Sequence, residues 1–372
     1  MKILEVCPYS AGICGVFSRV LTESQVFINM GHEVKIFSSN GTKGSKIKSQ
    51  KEEEMNNIKI TRFPYMKLGG ESFMYWNYTK EALEYSPDII IVHNYRHLHT
   101  TRALKIKKKL EKQGKQCKVI LVTHAPFVKN NSTRTGISSM IVKAYDKYVS
   151  PRTLDKFDAI VRICDWEIEY LKELGLDVSK TRKISNVLPG IYFDKPKEKS
   201  ISRSILFLGR VSPIKNIEFI YELANLLPGF NFSIVGPIEE NYMKQLSDKY
   251  PILPKNLTYY PAIYDIDKKI KTFDMHKYFI LPSHREAMPQ AMMEAMSRGM
   301  IIVSTNTDGA NEIIDNGENG YICKNNTPEE ARDIILECEL SSLNSNDITD
   351  SIYYNYSIDK LKEEYRKIFE SK

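Results

Sequence analysis

The chain has 372 residues, 42% of them hydrophobic and 27% charged, with a formal net charge of +7. That length exceeds one ordinary core and points to two globular domains, and the modest positive balance suits anionic ligands or an anionic surface rather than nucleic acid. No apolar run nears the ~20 residues of a membrane span, and MKILEVCPYS, with one early Lys before an alternating strand, lacks the pattern of a secretory signal.

Apolar, β-branched runs predict strands at 2–7, 33–37, 58–63, 88–92, 118–123, 158–163 and 182–185 in the first half. The second half predicts them at 204–208, 231–235, 257–260, 277–281, 301–304 and 320–323. Helical patterns lie between most of them, so the fold class is α/β with parallel sheets covered on both faces. The stretch YFDKPKEKSISRS at 192–204 reads as a linker between two similar halves, and the tail from 356 as an amphipathic helix with Ile358, Leu361, Tyr365 and Ile368 on one stripe. Domains are therefore expected at 1–190, joined by the tail helix 356–372, and at 191–355. Six scattered cysteines without a C-x-x-C pair favour reduced cytosolic thiols, hence a cytoplasmic chain without a disulfide frame or zinc site.

In the first half, Gly12 and Gly15 follow the opening strand and precede a helix that ends near Gly31. Such a turn either simply reverses the chain or brings backbone amides near a phosphate or sugar. His124 and His93 each follow a strand, at the edge where α/β proteins hold ligands; each is read either as a structural imidazole or as a group that bonds a sugar hydroxyl. His97 and His99, beside a basic helix, are expected to be exposed, and no two of these histidines are expected to form a metal set with a nearby acid. The basic run 105–118 is either a solvated helix face or a patch for anionic lipid headgroups.

In the second half, FLGRVSPIKN at 207–216 places Gly209, Arg210 and Lys215 on a strand–helix loop, where a fork and a point charge meet a diphosphate or stand solvated. Gly236 ends another strand and allows close approach of a base or ribose, and Asp308 is read as the cap of a further helix. The segment PSHREAMPQAMMEAMSRG at 282–299 is the most informative. Glu286 sits on the loop, Met288, Pro289 and Gln290 open a helix, and Glu294 lies among methionines, where a carboxylate needs a definite partner.

These residues together resemble the family-4 retaining glycosyltransferases of the GT-B fold, over nearly the whole chain. The resemblance rests on Cys14-Gly15 with GHEV sixteen residues on, His124, FLGRVSPIKN, and above all PSHREAMPQAMMEAMSRGMIIVSTNTDGANEIIDNGENGY. It implies two Rossmann-like domains facing a cleft, the second holding a nucleotide-diphosphate sugar (UDP-, GDP- or ADP-linked) and the first taking a carbohydrate or lipid-linked acceptor. It further implies that Arg210 and Lys215 stabilise the leaving diphosphate, Glu294 binds ribose, Glu286 and His124 lie at the donor sugar, and Gly15 lies near its phosphate. Catalysis is expected to need no metal and no cofactor. The chain departs from the family at Cys14, where a second glycine is usual, and at Ala287-Met288, which replaces Gly-Phe. The expected family Asp is not evident in HAPFVKNN at 124–131. A sugar-nucleotide epimerase and a non-catalytic nucleotide-sugar binding protein are the competing readings. The aromatic segment 74–78 and the basic helix, both in the first half, motivate an acceptor at a membrane surface.

Overall fold

The computed structural model describes all residues except 13, 68–70, 126–136, 195–200, 342 and 372, with the side chains of 137–139, 141 and 201 also left aside. The chain forms two compact units, one of Met1–Asn186 with Leu361–Lys372, the other of Val187–Lys360. The division falls a few residues before the one expected, because Leu188 donates its N–H to the Tyr356 carbonyl at 2.9 Å and so joins the second unit.

In the first unit the strands are β1 (Lys2–Tyr9), β2 (Glu33–Ser39), β3 (Glu52–Met55), β4 (Ile58–Phe63), β5 (Tyr65–Lys67), β6 (Met74–Trp76), β7 (Ile89–His93), β8 (Lys118–Val122), β9 (Ala159–Arg162) and β10 (Thr181–Lys183). Its main sheet runs β10-β9-β8-β7-β1-β2-β4-β3 and is parallel except for the β3–β4 pair. Central strands are buried on both faces, as in β7, where every residue from Ile89 to His93 is buried. Leu4, Val6, Ile90, Val92, Val119 and Leu121 form the middle of the core, with Trp76 and Tyr78 packed against them.

The second unit contains β11 (Ile201–Leu208), β12 (Asn231–Val235), β13 (Leu257–Tyr260), β14 (His276–Leu281), β15 (Ile301–Thr305) and β16 (Tyr321–Cys323). They form one parallel sheet in the order β13-β12-β11-β14-β15-β16. In both units the order steps outward from the first strand and then restarts on its other side, the doubly wound pattern.

Three strands escaped the sequence reading. β3 is EEEM, whose charges belong to an edge strand that must not pair further. It is held by Arg62, a fully buried side chain on β4 that pairs with Glu53 and also bonds Ser10 and the Gln50 carbonyl. β5 and β6 form a short antiparallel ribbon of three residues each, below the length at which alternation is visible. Of the expected linker, 195–200 lies outside the described residues, and 201–204 belongs to β11. The tail consists of two helices, Ser345–Tyr356 and Ile358–Glu370, separated at Ser357. Leu361, Tyr365, Ile368 and Phe369 are buried from the second, whereas Ile358 is only half-buried.

Gly236 has φ of +153°, and a Cβ there would lie 1.9 Å from the Gly209 carbonyl oxygen. The close approach that this glycine permits is thus between two strand ends of its own sheet. Gly15 is the contrary case, since a Cβ there meets nothing within 4 Å. Gly236→Ala is therefore expected to destabilise the protein by roughly 3 kcal/mol or more, and Gly15→Ala by less than ~1 kcal/mol. Chemical denaturation of the two variants checks this, and equal midpoints would refute the packing argument.

Candidate functional site

Parallel strands point all their carboxyl ends to one edge, and where the strand order reverses the two adjoining loops diverge and leave a crevice. The reversals lie between β1 and β7 in the first unit and between β11 and β14 in the second. Gly209 and Arg210 leave β11, and 282–288 leave β14, so both of these segments open at the second-unit reversal. Gly12 and Gly15 leave β1, His93 ends β7, and His124 follows β8.

In the second unit, the turn Pro213–Lys215 is tied to the β14 loop by the His284 N–H, which donates to the Ile214 carbonyl at 2.9 Å. This brings the Lys215 ammonium to 2.5 Å from Glu286 Oε1, and the Ser283 hydroxyl donates to the same oxygen at 2.6 Å. The far side of the loop is pressed on the helix Asp308–Asn311. Gly309 donates to the Glu286 carbonyl at 3.0 Å, and a Cβ on Gly309 would lie 2.7 Å from the Ala287 carbonyl oxygen. Thr307, not Asp308, caps that helix, its hydroxyl accepting from Ala310 N–H at 3.2 Å. Arg210 stands apart from the Lys215 pair. Its guanidinium is 59% exposed and 3.3 Å from Glu239, which is itself 45% exposed, a contact of little energetic weight that leaves the cation available.

The helix Gln290–Ser297 begins at Pro289, which serves as N-cap with extended backbone, and Met288 and Pro289 are buried beneath the loop. Glu294, buried in that helix, receives the Lys269 ammonium at 2.9 and 2.8 Å on its two oxygens, with Tyr192 and Gln290 as further donors. Burial raises its pKa and these donors oppose the rise. Lys269, from Ile266–Asp274, and Tyr192 carry no motif, and the sequence signal for them is only that a carboxylate among methionines needs partners. Arg298 closes the other end of the helix. It pairs with buried Asp274 at 2.7 Å and donates to the Tyr192 carbonyl at 2.9 Å, which holds the Tyr192 segment in place.

In the first unit, Cys14 is the N-cap of Gly15–Asn29 and makes no side-chain cap. Gly12 has φ of +80°, and a Cβ there would sit 2.3 Å from the Lys43 carbonyl oxygen; it serves the turn itself. After β8 the backbone takes two consecutive left-handed residues, His124 at φ +58° and Ala125 at φ +46°. Such strain persists only where surrounding bonds impose it. Buried Glu167 imposes it: its carboxylate accepts from the Thr123 hydroxyl at 2.5 Å, from Ile163 N–H at 2.7 Å, from Cys164 N–H at 3.2 Å and from the Ala125 N–H.

His124, half-buried, has its Nε2 at 2.8 Å from Nδ1 of His93. His93 is fully buried, and its Nε2 lies 2.7 Å from Glu5 Oε2 and 3.6 Å from Glu23 Oε2. Burial lowers the His93 pKa to about 4, so the ring is neutral at physiological pH. Glu5 of β1 and Glu23 of the following helix lie far from His93 in sequence, and only strand pairing brings them together. The donor atoms of Glu5, Glu23 and His93 lie within 4.8 Å of one another, a span a cation could bridge, but buried Arg19, 2.8 Å from Glu23, already supplies positive charge. His97 and His99 are buried rather than exposed. His99 Nε2 bonds the His93 carbonyl oxygen at 2.9 Å and its ring lies 5.5 Å from Trp76. The basic run faces solvent in part, with Lys105, Lys108, Lys109 and Lys112 exposed on Leu98–Lys112.

Comparison with known proteins gives two family matches, Glycosyltransferase Family 4 over residues 13–188 and Glycosyl transferases group 1 over 191–354. An uncharacterized glycosyltransferase of Haemophilus influenzae is 26% identical over 99% of this chain and 100% of its own. An Escherichia coli UDP-Gal:alpha-D-GlcNAc-diphosphoundecaprenol alpha-1,3-galactosyltransferase is 32% identical over 42% of this chain and 44% of its own. Among solved structures, a sucrose-phosphate synthase from Thermosynechococcus elongatus superposes with a TM-score of 0.76 at 13% identity, covering 99% of each chain. Anabaena HepE in complex with UDP and glucose superposes with a TM-score of 0.73 at 12% identity, again over 99% of each. Among the described residues no helix is long and apolar enough to cross a membrane.

Burial pushes the Glu167 carboxyl up from 4.5 to about 7, against the pull of its hydrogen bonds. A raised carboxyl means that the folded state binds the proton more tightly, so its contribution to stability falls as pH rises through this window. Glu167→Gln cannot ionise. Its stability relative to the native chain is expected to increase steadily from pH 4.5 to about 7; denaturation at intervals across that range checks the slope, and a flat difference would refute it.

Proposed function

Because the chain belongs to the family-4 glycosyltransferases and has their GT-B fold, we propose that it moves a hexosyl unit from a UDP-, GDP- or ADP-sugar to an acceptor hydroxyl with retention of anomeric configuration. The observation that carries this reading is the convergence of Lys215, Glu286 and the start of Gln290–Ser297 at the strand-order reversal of the second unit. An ammonium and a helix N-terminus favour a diphosphate, and the carboxylate accepts hydrogen bonds from sugar hydroxyls.

In the proposed reaction the bond from the anomeric carbon to the phosphate oxygen breaks, and its electron pair stays on that oxygen. Arg210 and Lys215 neutralise the charge that develops there. The acceptor oxygen bonds to the same face of the sugar, and its proton passes to the departing phosphate. No metal or cofactor is required, since the cations are side chains. Glu294 keeps lone pairs beyond those used by Lys269, Tyr192 and Gln290 and takes ribose hydroxyls. His124 bonds a hydroxyl of the transferred sugar, and Gly15 admits phosphate to the open helix start of the first unit. The Gly209 and Gly236 backbones, packed on each other, set the floor of the donor loop.

The E. coli relative acts on a diphosphoundecaprenol-linked sugar, and a Campylobacter jejuni relative, 26% identical over 54% of this chain, is named as an N-acetylgalactosaminyltransferase on another such lipid. These names support a lipid-linked acceptor in glycan or glycolipid biosynthesis, and they favour transfer over epimerisation. The exposed lysines of Leu98–Lys112 supply a face for anionic headgroups, and contact would be peripheral at the cytoplasmic leaflet.

Arg210→Ala and Lys215→Ala are each expected to lower turnover at least ~100-fold, the range lost with one well-placed donor to a developing oxyanion. Product analysis with the nucleotide sugar that raises the melting temperature most supplies the assay, and native rates in both variants would refute the diphosphate role. Reversing the charge of Lys105, Lys108 and Lys109 should abolish co-sedimentation with anionic liposomes; retention equal to the native chain would remove the membrane reading.

A further inference from the structure

The buried groups behind His124 contain more acid than their single guanidinium can balance. Glu5, Glu23 and Arg19 are all inaccessible to solvent or nearly so, and His93 between them is fully buried. Glu23 Oε1 receives Arg19 Nε at 2.8 Å and the Tyr365 hydroxyl at 2.7 Å. Glu5 meets His93 through Oε2, and its Oε1 has no hydrogen-bond partner among the described residues. Two carboxylates this close in a dry interior do not both ionise when one cation serves them. The charge resides on Glu23, which has the ionic partner, and the proton on Glu5.

That proton gives the chain of hydrogen bonds one direction. Glu5 Oε2–H donates to Nε2 of His93, and a neutral imidazole so occupied carries its hydrogen on Nδ1. His93 Nδ1–H then donates to Nε2 of His124, which places the His124 hydrogen on Nδ1. An ionised Glu5 would reverse every step and put it on Nε2. We propose that Glu5, His93 and Glu23 are positioning residues that hold His124 in the Nδ1–H tautomer, so that the nitrogen outside the relay is a hydrogen-bond donor. Tyr365, midway along the C-terminal helix Ile358–Glu370, extends the relay by donating to Glu23. A donor at this place suits an acceptor oxygen on its ligand, such as a sugar hydroxyl or ring oxygen. That last step rests on the role of His124 proposed above; the tautomer itself does not.

The test is long-range proton–nitrogen correlation spectroscopy on the full chain labelled at its histidines, with His124 assigned by its loss in His124→Gln. At neutral pH the native protein should show His124 Nε2 as an unprotonated nitrogen and Nδ1 as protonated. The reverse pattern in the native protein, which needs no variant to observe, overturns the proposal. Glu23→Gln leaves Arg19 to be balanced by Glu5 and should exchange the two nitrogen signatures; an unchanged spectrum from a folded Glu23→Gln overturns it too. Glu5→Gln retains an N–H that donates to His93 and should keep the native pattern, whereas Glu5→Leu should give an average of both. Turnover should follow, with Glu5→Leu at least ~10-fold below Glu5→Gln in kcat at similar donor KM. Tautomers that shift as stated without a change in kcat would leave the relay standing and remove His124 from the reaction.

Discussion

Both units depend on one constraint, that the parallel sheet must reverse its strand order beside its first strand. Consecutive parallel strands cannot be joined by a tight turn, so each connection crosses over a face, one face while the order steps one way and the other after it reverses. Where the winding changes direction, at β1/β7 and β11/β14, the two adjoining loops diverge toward opposite faces. Arg210, Lys215, Glu286 and His93 come from loops or strand ends beside these gaps. The close contact of Gly209 with Gly236 lies instead between the ends of β11 and β12, neighbours on one side of that reversal.

Charge at the two places is handled in different ways. In the second unit each carboxylate has a lysine of its own, Lys215 for Glu286 and Lys269 for Glu294. Those lysines remain partly open, at 23% and 22%, so a ligand can compete for them. The pairs hold the side chains in place at little cost, because solvent still reaches the ammonium groups. In the first unit the balance is struck in a dry interior by Arg19, Glu23, Glu5 and His93, where no ligand can intrude. A buried polar group of this kind is justified by what it orients, and the group it reaches at the surface is His124.

Backbone strain marks the same histidine. Two left-handed residues in succession would not persist on a free loop, and Glu167 exists in the fold as a buried acceptor for the amides around them. The ring is thus fixed twice, through its backbone by Glu167 and through its Nε2 by His93. Neither restraint is local in sequence, since Glu167 opens the helix Glu167–Glu173 after β9 and His93 ends β7.

The strands with long apolar runs, the doubly wound class and the loop carrying Glu286 were legible in residue order, because each depends on periodicity or on neighbours a few positions apart. So was the need of Glu294 for a partner, since a carboxylate among Met292, Met293 and Met296 has no local one. Tertiary structure alone supplied that partner, Lys269, and turned His97 and His99 inward, where Trp76 and the His93 carbonyl receive His99. It also assembled Glu5, Glu23, Arg19, His93 and Tyr365 from four separate elements. Hydrophobic pattern reports which face of a strand or helix is buried, and says nothing about which buried polar groups will meet once strands from distant parts of the chain are paired in register.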